Sequence, residues 1–330
     1  MKHLHLLIPD LFPPQDIAAE ACTGLRLPAL GKLLSRARVT PCSDESLEDR
    51  LCNVFGVQAV APVRAAADGL DTGRSYWLCA DPVNLQLQRA QALLMPDVIP
   101  LHEEALAMCA TLNEHFAGMG LHFVAPHAQR WYVQLEEEQR LTTTPLKRAA
   151  WGDAKYYQPQ GEDALRWQRV TTEVQMLLYV HPFNQAREAQ GELLINSLWL
   201  WGGGRAQPLK ETYDAVGGDS DLAGAFAQVA GTPQIESLQA MLDGDFESGL
   251  WVCAEPSDAM RRGDLFAWRE SVQRIEQKFA QPLLQALQTG RLQRLTLEVL
   301  REGGAQSFEL NRSDAWKFWR SARSLARYAV

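Results

Sequence analysis

Residues 181–205 read HPFNQAREAQGELLINSLWLWGGGR and form the most distinctive stretch of the sequence. Within it, residues 197–201 predict a buried strand, because a short apolar run without polar alternation suits a strand covered on both faces. The glycines that follow, Gly202, Gly203 and Gly204, predict a turn at the carboxyl end of that strand. Such a turn can present backbone N–H groups to an anion.

Polar side chains of the same stretch could complete an anion site. Arg205 offers a charged fork for a phosphate or a carboxylate, and His181, Asn184, Arg187 and Asn196 would line the same cleft. The glycine run matches neither a GxGxxG fingerprint nor a Walker loop. In the structural alternative, the glycines only form a tight turn beneath two tryptophans, and His181 is a capped or surface residue.

Two further apolar runs, residues 4–8 and 249–254, also end in polar turns. We predict that they and residues 197–201 are neighbouring parallel strands, and helical periodicity between them indicates an α/β fold. The predicted architecture is a mostly parallel central sheet with helices on both faces. Residues 1–74 and 151–330 would form this core, and residues 75–150 a smaller inserted subdomain.

The composition excludes several classes of protein. Of 330 residues, 46% are hydrophobic and 22% charged, which is typical of a folded chain. A net charge of −8 disfavours binding to nucleic acid or to anionic membranes. The apolar runs are too short to span a membrane, no signal-peptide pattern is found, and the six cysteines form no CxxC pair. These features predict a cytoplasmic protein with reduced thiols.

Three residues outside the 181–205 stretch are candidates for catalysis. Asp10 follows the first predicted strand, where α/β enzymes often place a metal ligand or a base; the structural alternative is a helix cap or a turn cap. Ser43 and Ser46 could supply a nucleophile, but a run of Ser, Asp and Glu is also typical of a solvated turn. The sequence contains no GxSxG and no HExxH motif.

Residues 181–205 resemble a segment of the archaeal-type, cofactor-independent phosphoglycerate mutases, in which a His-Pro-x-Asn-xx-Arg run leads to Asn-x-x-Trp-Leu-Trp-Gly-x-Gly. With Ala-Asp-Pro-Val at 80–83 and Arg-Trp-Tyr at 130–132, the chain is still more similar to bacterial RpfE-type regulatory proteins, which look like relatives of those mutases. The resemblance implies an alkaline-phosphatase-like fold. In the mutases, two divalent metals assist phosphoryl transfer through a phosphoserine.

The chain departs from the mutase pattern at the implied metal ligands. The family's first strand ends in Asp-Gly, whereas here Leu11 follows Asp10. The family's Pro-Asp-Glu-Ala-Gly-His run corresponds to residues 255–264, which sets Ser257 at the position of the Asp and Arg261 at that of the His. A one-residue slip restores Asp258, but no histidine follows His181. The comparison implies no metal pair and no other cofactor.

The resemblance therefore implies a pseudoenzyme that has lost metal-dependent phosphoryl transfer. Its role would be regulatory or ligand-sensing, with an anionic small molecule as the ligand and a protein partner left unidentified. One alternative is an active phosphoglycerate mutase or phosphohydrolase that uses two divalent metals. Another is a partner-binding protein without a small-molecule site.

Overall fold

A computed structural model describes residues 1–89, 91–301 and 303–329. The chain forms two compact units. The first unit combines Met1–Phe55 with the chain from Leu209 onward, and the second consists of Gly56–Pro208. Among the described residues, no helix has the length and apolar character needed to cross a membrane.

The secondary structure alternates between strands and helices. The strands are β1 (His3–Leu7), β2 (Arg38–Cys42), β3 (Tyr76–Gln88), β4 (Gln91–Met95), β5 (Leu121–His127), β6 (Arg130–Leu135), β7 (Ser197–Arg205), β8 (Ala215–Gly218), β9 (Gln234–Ile235), β10 (Ser248–Val252), β11 (Arg294–Val299) and β12 (Ala305–Asn311). The α-helices are α1 (Ala18–Ala21), α2 (Pro28–Arg36), α3 (Leu47–Phe55), α4 (Ala61–Ala67), α5 (His102–His115), α6 (Leu146–Ala149), α7 (Ala164–Tyr179), α8 (Pro182–Gln190), α9 (Asp221–Ala230), α10 (Leu238–Asp243), α11 (Glu255–Arg261), α12 (Leu265–Ile275) and α13 (Gln281–Thr289). Short 3-10 turns lie at Ala154–Tyr157, Arg312–Trp316 and Leu325–Arg327, and a π-helical segment at Glu276–Ala280.

The first unit is built on a seven-stranded sheet in the order β2-β12-β11-β1-β10-β8-β9. All neighbouring strands are parallel except β12, which runs antiparallel to both β11 and β2. The central strand β1 pairs with β10 on one side and β11 on the other. The predicted α/β class and mostly parallel central sheet are confirmed.

The main core of the first unit lies on one face of this sheet. Leu4 and Leu6 of β1 belong to the same buried cluster as Leu33 of α2, Trp268 of α12 and Leu283 of α13. Burial of each large apolar side chain stabilises the fold by about 1.5–3 kcal/mol. The alternate residues of β1, including His3 and His5, point to the opposite face, as strand geometry requires.

The helical segment before β11 contains an interruption at Glu276–Ala280. There, π-helical turns separate α12 from α13. The buried carboxylate of Glu276 accepts hydrogen bonds from the backbone N–H groups of Ala29 (2.9 Å) and Leu30 (2.8 Å) in the first turn of α2. The interruption therefore places a negative charge at a helix N-terminus, which is its favourable position.

The second unit contains a five-stranded antiparallel sheet with β3 at its centre. One edge of β3 pairs with β6 and then with β4, and the other edge pairs with β7; β5 pairs with β6. The prediction that residues 197–201 lie beside β1 and β10 is therefore wrong. The apolar run reflects burial of both faces of β7, since Leu198 and Leu200 lie in the core of this unit and Trp201 is also buried. Burial on both faces does not determine whether a strand runs parallel or antiparallel to its neighbours.

The pairing of β7 with β3 also accounts for where the second unit ends. Because Leu200 faces Ala80 and Leu198 faces Pro82 across the two strands, β7 belongs to the same unit as β3. The unit therefore extends beyond the predicted 75–150 segment at both ends and includes residues 56–74 and 151–208.

Candidate functional site

Asp10 lies just beyond the carboxyl end of β1, the central strand of the parallel sheet. Its backbone has φ of 53°, a left-handed conformation that Asp tolerates better than most residues. Its N–H donates to the carbonyl oxygen of Leu300 (2.8 Å), and its own carbonyl accepts from the indole N–H of Trp268 (2.9 Å). These bonds hold Asp10 at the edge where parallel sheets bind ligands.

The carboxylate of Asp10 meets a hydroxyl and a guanidinium. Its Oδ2 accepts a hydrogen bond from Ser257 Oγ at 2.6 Å, and Arg261 Nε lies 4.0 Å from the same oxygen. Ser257 and Arg261 both belong to α11, which begins directly after β10. The side chain of Asp10 is only 15% exposed and that of Arg261 24%. A positive side chain of the protein therefore lies against this carboxylate.

Asp219 follows β8 at the same edge of the sheet and orients α11. Its carboxylate accepts from the backbone N–H groups of Ala254 (2.5 Å) and Glu255 (3.1 Å) at the start of that helix. Burial raises the pKa of Asp219, and these two hydrogen bonds oppose the rise only in part. Asp219 thus positions the helix that carries Ser257 and Arg261. Asp219 is not among the residues predicted from the sequence, although Val216-Gly217-Gly218-Asp219 repeats the pattern of a strand followed by Asp.

The side chains at this edge do not fit a pair of divalent metals. Such a centre needs several carboxylate and imidazole ligands around two closely spaced cations. Here Arg261 lies against Asp10, and backbone amides occupy the oxygens of Asp219. Within residues 1–89, 91–301 and 303–329, no three His, Cys, Asp or Glu side chains converge in a way that could hold a metal.

Ser43 and Ser46 follow β2, which β12 and β11 separate from β1 in the sheet. Ser43 Oγ donates to the carboxylate of Glu45 at 2.6 Å. Ser46 Oγ donates to Asp49 Oδ2 (2.8 Å) and accepts from the backbone N–H of Asp49 (3.1 Å) at the start of α3. These contacts give both hydroxyls local roles at a helix start, and their role as nucleophiles stays a prediction.

His181 and Asn184, the first polar residues of the 181–205 stretch, fix the position of α8 within the second unit through hydrogen bonds. His181 caps α8 by accepting from the backbone N–H of Phe183 at 3.3 Å, and burial lowers the pKa of its imidazole. The buried side chain of Asn184 donates to the carbonyls of Leu178 (2.7 Å) and Ile195 (2.8 Å) and accepts from Ile195 N–H (2.9 Å). Asn184 therefore joins α7 to the segment that leads into β7.

Arg187 forms a buried ion pair. Its Nη1 lies 2.8 Å from Glu104 Oε2, and the two side chains are only 4% and 7% exposed. The guanidinium also donates to the carbonyls of Leu193 (2.8 Å) and Ile99 (3.2 Å). These internal contacts favour a structural role for Arg187.

Asn196 and Arg205 bind backbone groups at the two ends of β7. Asn196 exchanges two hydrogen bonds with the backbone of Leu85, at 2.7 and 3.0 Å. The guanidinium of Arg205 donates to the carbonyl oxygens of Arg74 and Glu136, the latter at 2.8 Å. The predicted role of residues 181–205 in binding an anion stays a prediction, and all these contacts favour a structural role.

The glycines form part of β7 and not a turn after it, which corrects the local prediction. Between Trp201 and Gly204 the register with β3 shifts, and Gly202 has φ of +67°, so the run forms an irregularity within the strand. The N–H of Gly202 donates to Thr143 Oγ1 at 3.1 Å. A Cβ on Gly203 would lie 2.5 Å from Tyr76 Oη, and one on Gly204 would lie 2.4 Å from Ala59 Cβ. Close packing accounts for these glycines.

We expect Gly204→Ala to lower the free energy of unfolding by about 1–3 kcal/mol, because the added methyl overpacks the contact with Ala59. Urea unfolding followed by circular dichroism measures the change. Gly224→Ala is the control, since Gly224 lies in α9 and its added Cβ meets only the flexible amide of Gln234, 3.0 Å away. Equal stability of the parent and Gly204→Ala would show that the glycine run is not required for packing.

Comparison with known proteins places this architecture among solved structures. No protein-family model and no curated protein matches the sequence. The chain is similar in structure to the PH0037 protein of Pyrococcus horikoshii, with a TM-score of 0.61, 14% identity, and coverage of 99% of this chain and 92% of that one. It is also similar to the cofactor-independent phosphoglycerate mutase of Thermoplasma acidophilum, with a TM-score of 0.50, 12% identity, and coverage of 99% and 94%. At these identities the likeness establishes a fold like that of the mutase.

Proposed function

We propose that this phosphoglycerate-mutase-like protein has lost metal-dependent phosphoryl transfer and acts in the cytoplasm as a regulatory or ligand-sensing protein, as its resemblance to the RpfE-type proteins implies. The observation that carries the proposal is the environment of Asp10. A serine hydroxyl and an arginine guanidinium meet this carboxylate at the carboxyl edge of the sheet, the edge at which parallel sheets generally bind ligands.

The charge of Arg261 is the physical reason for the proposed loss. A guanidinium cannot lose its proton in a protein and carries no lone pair for a metal. It also supplies the positive charge that a cation would otherwise bring to Asp10, and it repels a second cation. Ser257, at the position of a second carboxylate, contributes a weaker neutral donor. We therefore infer that this edge, although it keeps Asp10 and Asp219, lacks the set of ligands that metal-dependent transfer requires.

Metal binding and turnover test this proposal together. After incubation with Mn²⁺ and removal of the excess, we expect much less than one equivalent of metal per chain by elemental analysis. We also expect no conversion of 3-phosphoglycerate to 2-phosphoglycerate in a coupled assay. Two equivalents of Mn²⁺ with metal-dependent turnover would contradict the proposal and support the active-mutase alternative.

A double variant tests the role of Arg261 directly. Ser257→Asp with Arg261→His restores a carboxylate and an imidazole beside Asp10, and we expect it to bind Mn²⁺ at least tenfold more tightly than the parent. Arg262→His is the matched control, because it adds an imidazole on the neighbouring, exposed residue. Identical Mn²⁺ affinity in the double variant, the control and the parent would show that Arg261 is not what prevents metal binding.

A further inference from the structure

A cleft with several cationic side chains opens at the opposite edge of the first unit's sheet. His3 is the first residue of β1 and Arg294 the first of β11, so the cleft lies at the amino ends of these strands, whereas Asp10 lies beyond the carboxyl end of β1. Its volume is about 540 Å³, which is within the usual range for small-ligand sites. Lys2, His3, Arg294, Asn311, Arg312 and Ser313 contribute to its lining.

The backbone fixes the positions from which these cations project. Arg294 pairs in register with His3 on one side and with Asn311 on the other. The N–H of Arg312 donates to the carbonyl of Gln293 at 2.9 Å, and the N–H of Arg294 donates to that of Lys2 at 3.0 Å. The strands and their hydrogen bonds therefore bring the cationic residues, distant in sequence, to one cleft.

Two of these cations lack an acidic partner among the residues that the structure describes. In the part of the chain that the structure describes, no carboxylate lies within 4 Å of the guanidinium of Arg294 or Arg312. Asp314, the acid closest in sequence to Arg312, is held by Lys317 at 2.6 Å. Lys2 alone is paired, with Glu247. In a chain with a net charge of −8, Arg294 and Arg312 give this cleft a locally positive lining.

We propose that this cleft binds a phosphate-bearing small molecule, with the guanidinium groups of Arg294 and Arg312 as the principal donors. Arginine presents a planar set of N–H groups that matches phosphate oxygens in pairs. Asn311 and Ser313 add neutral polar groups at the same rim. The cleft is separate from the Asp10 edge, so the proposal does not depend on whether the chain retains phosphoryl transfer.

His3 provides a spectroscopic reporter of binding. Burial, the charge of Arg294 and the nearby ring of His5 lower the pKa of His3 to about 4, and its Nε2 lies 2.9 Å from Thr296 Oγ1. Lys2 and Arg312 line the same cleft, and Glu298 of β11 and Glu309 of β12 lie on the same face of the sheet as His3. A bound anion would offset the charge of Arg294 and favour the imidazolium. We therefore expect the pKa of His3 to rise when the cleft is occupied.

The test uses the full chain with inorganic phosphate and, as a non-titrating probe, sulfate. We expect one saturable site by calorimetry at constant ionic strength and an upward shift of the His3 titration by NMR. Arg294→Ala and Arg312→Ala should each weaken phosphate binding about tenfold or more, since each removes charge-assisted hydrogen bonds. Thermal unfolding of each variant verifies that it is folded.

Arg169→Ala is the matched control, because it removes one exposed arginine from α7 in the other unit. It should bind phosphate as the parent does. The proposal is overturned if the parent shows no saturable binding of either anion. It is also overturned if Arg294→Ala and Arg312→Ala bind as tightly as Arg169→Ala.

Discussion

Replacing Arg187 by alanine should lower the free energy of unfolding by about 3–5 kcal/mol, because the variant leaves Glu104 charged and buried without its partner. Glu104 is only 7% exposed at the side chain. Its Oε2 also accepts the backbone N–H of Leu101 (2.7 Å) at the start of α5. The variant therefore disturbs α5 as well as α8. Chemical unfolding followed by circular dichroism measures the loss.

Two comparisons separate the buried pair from a general effect of lost charge. Arg140→Ala removes an arginine whose partner Glu162 is 71% exposed, and an exposed pair of this kind contributes at most about 1 kcal/mol. The double variant with both Arg187→Ala and Glu104→Ala should lose less free energy of unfolding than the two single variants lose in total. If Arg187→Ala unfolds like Arg140→Ala and instead loses affinity for phosphate, the structural role is wrong and the anion-binding prediction for residues 181–205 gains support.

Burial is the part of the fold that the sequence predicted best. Residues 4–8 and 249–254 form β1 and β10, paired in parallel as expected, because consecutive apolar residues in a short run require cover on both faces. The same pattern misplaced residues 197–201, since a strand covered on both faces can also be antiparallel, as β7 is to β3. Whether a strand runs parallel or antiparallel depends on partner strands that are distant in sequence, so a local sequence pattern cannot predict it.

The residues of the candidate site were predictable only where a sequence motif fixed their alignment with the mutase pattern. Aligning residues 255–264 on the mutase pattern placed Ser257 and Arg261 opposite the family's ligands, and the structure brings both to Asp10. The cationic cleft had no such motif. Its residues come from separate segments near positions 2, 294 and 312, and in the sequence each is an ordinary surface charge. Only the sheet brings them together.

The patterns at 80–83, 130–132 and 197–205 have a common physical explanation in the second unit. They contribute Asp81, Tyr132 and Trp201, and all three side chains contact Arg64 of α4. Its guanidinium donates to both oxygens of Asp81, one at 2.9 Å, and its Nε donates to Tyr132 Oη at 2.9 Å. It also lies 5.0 Å from the ring centre of Tyr132 and 5.2 Å from that of Trp201. Burial opposes the charge on Arg64, but its neighbours, with Asp81 foremost, together outweigh burial and raise its pKa.

We expect Arg64→Lys to lower the free energy of unfolding by about 2–4 kcal/mol although it keeps the charge, because an ammonium cannot form the paired bonds to Asp81 or stack between two rings. The control is Arg169→Lys on the exposed face of α7, which should leave stability within about 0.5 kcal/mol of the parent. Urea unfolding followed by circular dichroism measures both. Parent-like stability of Arg64→Lys would mean that charge alone suffices at this position. The loss expected here follows instead from geometry, because Asp81 is only 4% exposed at the side chain and water cannot replace the bonds that lysine fails to make.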